Sequence, residues 1–137
     1  MVFITRRERF SAAHRMCKEG LTDQENLALY GKCAHPHWHG HNYILYVTVK
    51  GEVDKDTGYL VDLGTLSNII NKNVIDKLDH TNINLDVDFM QGKIVSTENL
   101  AVGIWDALQP HILKLGVELH CIKLEETENN FIEYYGK

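Results

Sequence analysis

Proline is nearly missing from this chain: Pro36 and Pro110 are the only two among 137 residues. No Pro-, Gly- or Ser-rich stretch offers a linker, and neither a repeat nor a low-complexity tract is visible, so residues 1–137 read as one domain. Cysteine is scarce as well. The three thiols, Cys17, Cys33 and Cys121, are an odd and unclustered set that makes no disulfide framework, which points to a reducing, cytoplasmic setting. No run approaches the ~18 apolar residues of a membrane span, and the start lacks a signal-peptide layout because Arg6, Arg7 and Arg9 interrupt it at once. An excess of positive charge is also lacking. Fourteen Lys+Arg against 19 Asp+Glu leave a net charge of −5, the wrong sign for a nucleic-acid binder. What is present is ordinary for a globular protein, 44% hydrophobic and 24% charged residues, with one exception. Histidine occurs eight times, and four of the eight fall within residues 35–41.

Periodicity gives the expected order of elements. Phe10, Ala12 and His14 share one side of a first strand, and Tyr43–Val49 is an apolar, β-branched and aromatic second strand. Between them, residues 18–33 are a polar excursion with a helical turn near Glu25–Tyr30. Asp62 caps a helix carrying Leu63, Leu66, Ile70 and Val74, and Ser96 or Thr97 opens another with Leu100, Ala101, Ile104, Trp105 and Leu108 inward. Pro110 is expected to end or kink that helix. Strands over Val117–Glu125 and Phe131–Tyr135 follow, joined at Glu128-Asn129-Asn130. Strand, strand, helix, helix, strand, strand is an α+β order: a four-stranded antiparallel sheet with two helices on one face. Such a sheet has two open edges, which favours an oligomer.

His39 and His41 are two residues apart, so their imidazoles leave an extended chain on the same face, and His14 on the first strand supplies a third if the two strands are neighbours. Three neutral imidazoles with an open fourth position are the usual make-up of a catalytic zinc site. His35 and His37 continue the alternation, and spacing alone does not choose among the five, although Pro36 breaks the strand register before Trp38. Cys33, in a Gly-Lys-Cys turn six residues before His39, is a candidate reactive thiol that a metal or Lys32 would activate; a small buried cysteine is the bland alternative. Asp79 beside His80 suits a proton-handling pair, against the plain reading of a histidine at a helix C-terminus. Glu126 ends a strand and reads as a ligand anchor or a surface glutamate; Ser96 and Thr97 read as helix cap or ligand contacts.

Seven fragments in order carry a resemblance: Phe10-Ser11-Ala12-Ala13-His14-Arg15, Gly31-Lys32-Cys33, His39-Gly40-His41-Asn42-Tyr43, Gly51-Glu52-Val53-Asp54, Leu78-Asp79-His80, Ser96-Thr97-Glu98-Asn99 and Glu126-Thr127. Together they resemble the 6-pyruvoyltetrahydropterin synthase family, including its bacterial 6-carboxytetrahydropterin synthase relatives of queuosine biosynthesis. The resemblance implies a tunnelling fold, in which sheets from three subunits close an oligomeric barrel and two trimers stack into a homohexamer. It implies Zn2+ held by His14, His39 and His41, Cys33 as general base, and Asp79 and His80 as a proton relay. Glu126 would hold the pterin ring, helped by Ser96 and Thr97. The implied substrate is 7,8-dihydroneopterin triphosphate, for which Arg15 and Lys18 are candidate positive charges, with a solvated face as the alternative reading. Two features depart from or divide the family: His35 and His37 stand where small polar residues are expected, and the Cys33-to-His39 spacing with the Leu21–Leu29 insertion favours the pyruvoyl-forming branch. The alternatives are the carboxy-forming reaction, which also releases acetaldehyde, and a non-catalytic histidine-rich metal-binding protein.

Overall fold

Alternation along two stretches produces the strands that organise the molecule. In the computed structural model, which describes residues 1–137, β1 (Val2–His14) and β2 (His39–Gly51) pair antiparallel from end to end, Val2 opposite Gly51 and His14 opposite His39. Tyr43, Leu45, Val47 and Val49 on one face of β2 are fully buried, while Ile44, Tyr46 and Thr48 between them are half-buried. Each aliphatic side chain so buried contributes about 1.5–3 kcal/mol relative to exposure, and this decides which face the helices cover.

Two helical segments supply that cover. Asp62 caps α2 (Leu63–Ile70) by accepting from the Thr65 N–H, and the helix passes through a π-helical turn at Asn71–Ile75 into α3 (Asp76–Leu78). Ser96, not Thr97, caps the long helix α5 (Thr97–Leu113), its hydroxyl accepting from the Asn99 N–H. Leu100, Ala101, Ile104 and Leu108 are fully buried, as their spacing requires. Pro110 does not end the helix. It lies in the last turn, where it removes one backbone donor, and fully buried Ile112 holds the chain helical beyond it. A smaller lobe lies in the β1–β2 connection: α1 (Asp23–Tyr30), opened by a reciprocal Thr22–Glu25 capping box, and a 3-10 turn over Gly31–Ala34.

The sheet has five strands, not four. β3 (Thr81–Asn82) runs parallel to β1, with Ala12 opposite Thr81 and Ala13 opposite Asn82, and α4 (Ile83–Asp86) follows it. Two residues carry no alternation, so nothing in their sequence marks them as a strand. β4 (Glu118–Thr127) and β5 (Asn130–Tyr134) complete the order β3-β1-β2-β4-β5, antiparallel apart from the β1–β3 pair. The result is an α+β fold in which β1, β2 and β4 bring their chemistry-bearing ends together.

Candidate active site

The β1–β2 register fixes the centre of the site. His14 faces His39 across the pair, and Ala12 faces His41, so all three imidazoles project from the helix-covered face. Their ring centroids lie 4.5 Å (His14–His39), 5.2 Å (His14–His41) and 4.9 Å (His39–His41) apart. Gly40, between the two β2 histidines, lets β1 come close: a Cβ there would lie 3.3 Å from the Ala12 carbonyl oxygen. On β4, Glu126 falls at a break in the pairing with β5 and turns to the same face, its Oε1 2.8 Å from His41 Nε2 and 3.6 Å from His14 Nε2. One ligand-type atom from each of the four residues lies within 4.8 Å of all the others.

Whether these residues suit a metal ion is decided by their unsatisfied atoms. His14 Nε2, His39 Nδ1 and His41 Nε2 are buried and make no well-aligned hydrogen bond, the 2.8 Å approach of Glu126 Oε1 to His41 Nε2 being a charge contact without hydrogen-bond geometry. His14 Nδ1 donates to the Val95 carbonyl oxygen at 2.8 Å, which fixes the tautomer and leaves the Nε2 lone pair aimed at its neighbours. Burial, above all, holds His14 and His39 below the ordinary imidazole range, and the neighbouring histidines add to the effect, so both stay neutral. Buried donors or acceptors left unmade cost about 1–3 kcal/mol each, and three converging imidazole nitrogens fit a divalent cation with nitrogen preference. The residues fit a metal.

The other candidate residues are spread over the neighbouring elements. Cys33 is half-buried in the 3-10 turn, and its carbonyl accepts from the Met16 N–H at 2.7 Å, tying the lobe to the end of β1. Asp79 accepts from the Ser11 N–H at 2.9 Å and holds His80 Nδ1 at 2.9 Å; the Ser11 bond, more than the histidine, keeps its carboxyl below the usual range. His80 has a positive φ of 60° and an 84% exposed side chain. A cleft of about 330 Å³ runs between Gly40–Asn42 and His80–Thr81. Ser96 and Thr97 are buried at the start of α5, directly after the Val95 carbonyl that orients His14. Arg15 lies outside the cleft, its guanidinium on Asp23, Ala34 and Trp38. His35 and His37 stand apart from the three-histidine cluster, paired with each other 5.3 Å apart.

Three contributors escape a reading of the sequence. Val95 acts through its carbonyl, which no side-chain pattern reveals. Asn84 clamps the Arg15 peptide by two hydrogen bonds, of 3.1 and 3.0 Å, across 69 residues of sequence. Tyr43 was legible as a strand residue, but its buried hydroxyl without a partner, beside the cluster, was not. Burial first, and then Glu126, push that phenol up, so it remains protonated.

The family model for 6-pyruvoyl tetrahydropterin synthase matches residues 3–137. The chain belongs to this family. A 6-pyruvoyl tetrahydrobiopterin synthase of Pongo abelii is 45% identical over 134 residues, covering 98% of this chain and 91% of that one. The solved structure of a Caenorhabditis elegans 6-pyruvoyl tetrahydropterin synthase superposes with a TM-score of 0.91 at 36% identity, over 99% of this chain and 96% of the other. A 6-carboxy-5,6,7,8-tetrahydropterin synthase of Bacillus subtilis is further away, 30% identical over 93% of this chain and 80% of its own. Membership of the synthase family agrees with the three-histidine centre and with the α+β sheet.

Proposed function

We propose that residues 1–137 act as one tunnelling-fold pterin synthase domain, a zinc-dependent carbon–oxygen lyase converting 7,8-dihydroneopterin triphosphate into 6-pyruvoyltetrahydropterin with loss of triphosphate. The observation that carries this is the convergence of His14, His39 and His41, with Glu126 beside them, on ligand-type atoms within 4.8 Å of one another. The higher identity to pyruvoyl-forming than to carboxy-forming relatives, 45% against 30%, supports the product and a place in tetrahydrobiopterin rather than queuosine biosynthesis.

In this reading His14, His39 and His41 hold Zn2+, which when bound supplies Lewis acidity to a hydroxylated substrate side chain and so acidifies its carbon-bound protons. Cys33 removes one of those protons as general base. Asp79 fixes His80 through Nδ1, leaving Nε2 to pass a proton at the open end of the cleft. Glu126 accepts from the pterin amino and ring N–H groups, with Ser96 and Thr97 beside it. Loss of triphosphate, a good leaving group, completes the elimination.

The assembly we infer is a homohexamer, a dimer of trimers, whose sheets close a barrel. Its support is the edges: β5 has no neighbour on its outer side, and β3 covers only Ala12 and Ala13 of β1. The cytoplasm suits Cys17, Cys33 and Cys121 as free thiols, and no helix is long and apolar enough to cross a membrane.

The test is incubation of the zinc-loaded protein with 7,8-dihydroneopterin triphosphate, with product masses, acetaldehyde and zinc per chain all measured. A pyruvoyl pterin with free triphosphate and no acetaldehyde is expected. A carboxypterin with stoichiometric acetaldehyde would move the protein to the queuosine branch. Untouched substrate together with more than one bound metal per chain would favour a histidine-rich metal-binding protein.

A further inference from the structure

Arg15 is the residue whose contacts the proposed chemistry leaves unexplained. It follows His14 directly in sequence. Its Nη2 donates to the Ala34 carbonyl at 3.2 Å, one residue past Cys33, and to Asp23 Oδ1 at 3.1 Å, at the start of α1. The guanidinium carbon lies 5.5 Å from the ring centroid of Trp38, the residue before His39. One planar cation therefore touches the chain next to the candidate base and next to one candidate metal ligand, while being itself adjacent to another. Its backbone is fixed as firmly, since the Asn84 side chain accepts from the Arg15 N–H and donates to its carbonyl.

These contacts keep Arg15 largely out of solvent: the side chain is only 13% exposed, and Nε is buried without a hydrogen-bond partner. Both bonds leave the single Nη2 nitrogen, so it is the plane lying beside the Trp38 indole that a lysine ammonium, a point charge, does not reproduce. An ion pair with a partner as exposed as Asp23, 67%, adds little to overall stability, so what the contact supplies is geometry.

We propose that Arg15 is a positioning residue that sets where the Cys33 thiol stands relative to the three-histidine centre, by strapping the Asp23–Ala34 lobe to the ends of β1 and β2. This rests on the reading of Cys33 as the base. Removing the strap lets the lobe shift while His14, His39 and His41, held by the β1–β2 register, stay in place. A displacement of about 1 Å between reacting groups costs on the order of a hundredfold in rate.

The experiment uses the zinc-loaded full chain with Arg15→Gln, Arg15→Lys and Asp23→Ala. Both Arg15 variants are expected to keep the wild-type zinc content and a nearly unchanged KM, with kcat down by about a hundredfold. Asp23→Ala, which alters only the far end of the strap, is expected to lower kcat in the same sense by a smaller factor, and to add little once Arg15 is replaced. A raised KM with kcat intact in the Arg15 variants, joined by neutral or improved turnover in Asp23→Ala, would make Arg15 a substrate-binding cation and overturn the proposal. The rate of Cys33 alkylation by iodoacetamide, followed on its own peptide by mass spectrometry, is read without substrate. It should change severalfold in Arg15→Gln and in Asp23→Ala alike, and an unchanged rate in both would overturn the strap. Failure of the wild type to turn over substrate would instead sink the functional reading and leave the alkylation result to decide this one.

Discussion

The three-histidine centre and the Asp79–His80 corner lie at the same end of the sheet and are built in opposite ways. The centre is assembled by two long strands in full register, with His14 only 2% exposed and its ring set by the Val95 carbonyl. The corner hangs on a two-residue parallel bridge and two bonds with Ser11, whose N–H donates to the Asp79 carboxylate and whose carbonyl accepts from the His80 N–H, and it presents His80 to solvent at a positive φ. A left-handed conformation at a residue other than glycine costs on the order of 1–3 kcal/mol and persists only where the surroundings enforce it. Under the proposed function the contrast follows from what each group would do. Metal ligands need rigid convergence and neutral nitrogens, which burial provides. A proton-transfer group needs access to substrate, which the edge of a cleft provides.

The contrast can be broken most severely at the buried centre. His14→Ala deletes the one imidazole whose tautomer the chain itself fixes. Its effect on zinc affinity should exceed the about 10- to 100-fold that loss of an outer-shell partner costs, and turnover should vanish with the metal. Zinc retention by equilibrium dialysis checks this, and a variant that held zinc as tightly as wild type would remove His14 from the ligand set. Cys33→Ala separates metal from base. Zinc should stay at the wild-type level while kcat falls by about 10²–10⁴, the range for loss of a general base. Full activity in that variant would assign the base elsewhere.

How much of this could be read from the sequence follows the same division. The strands bearing His14, His39 and His41 have alternating burial, and alternation is a local signal, so their shared face was visible from spacing together with the expectation that the strands pair. Asp62 as a cap, and Ser96 as one of two candidates with Thr97, were visible for the same reason: a cap acts on a residue three positions away. The corner was visible only as adjacent residue types. The bridge that holds it, Ala12 to Thr81, joins segments 69 positions apart through backbone groups alone. Glu126 was visible as a strand end, but its approach to His41 depends on the irregularity between Glu125 and Thr127, which follows from β5 pairing rather than from any pattern within β4. The helix past Pro110 shows packing overriding a local rule, with Leu108 and Ile112 both fully buried around it.

A smaller effect sharpens the comparison on the buried side. The Tyr43 ring stacks on Phe10 at 4.8 Å, and its hydroxyl is buried without a partner. Tyr43→Phe keeps the stack and removes the orphan, so the metal-free protein should gain about 1 kcal/mol in urea unfolding, within the usual cost of an unmade buried bond. A loss of stability would mean that the hydroxyl is bonded in solution.

The smallest effect, and the one that compares both regions directly, is the pH dependence of folding without metal. Burial lowers His14 and His39 from 6.5, so as pH falls below that value the unfolded chain takes up protons that the native chain refuses, and stability declines. Asp79 is also lowered, from 3.8, by its bond from the Ser11 N–H, but its charged form is the native one. Its contribution is therefore complete above 3.8 and is lost only as pH falls through its lower native value. Urea midpoints of the metal-free wild type should begin to fall near pH 6.5, whereas the gap between wild type and Asp79→Ala should hold steady there and close only below about pH 4. A gap that changed between pH 7 and 6 would overturn the reading of Asp79 as a carboxylate anchored chiefly by the backbone.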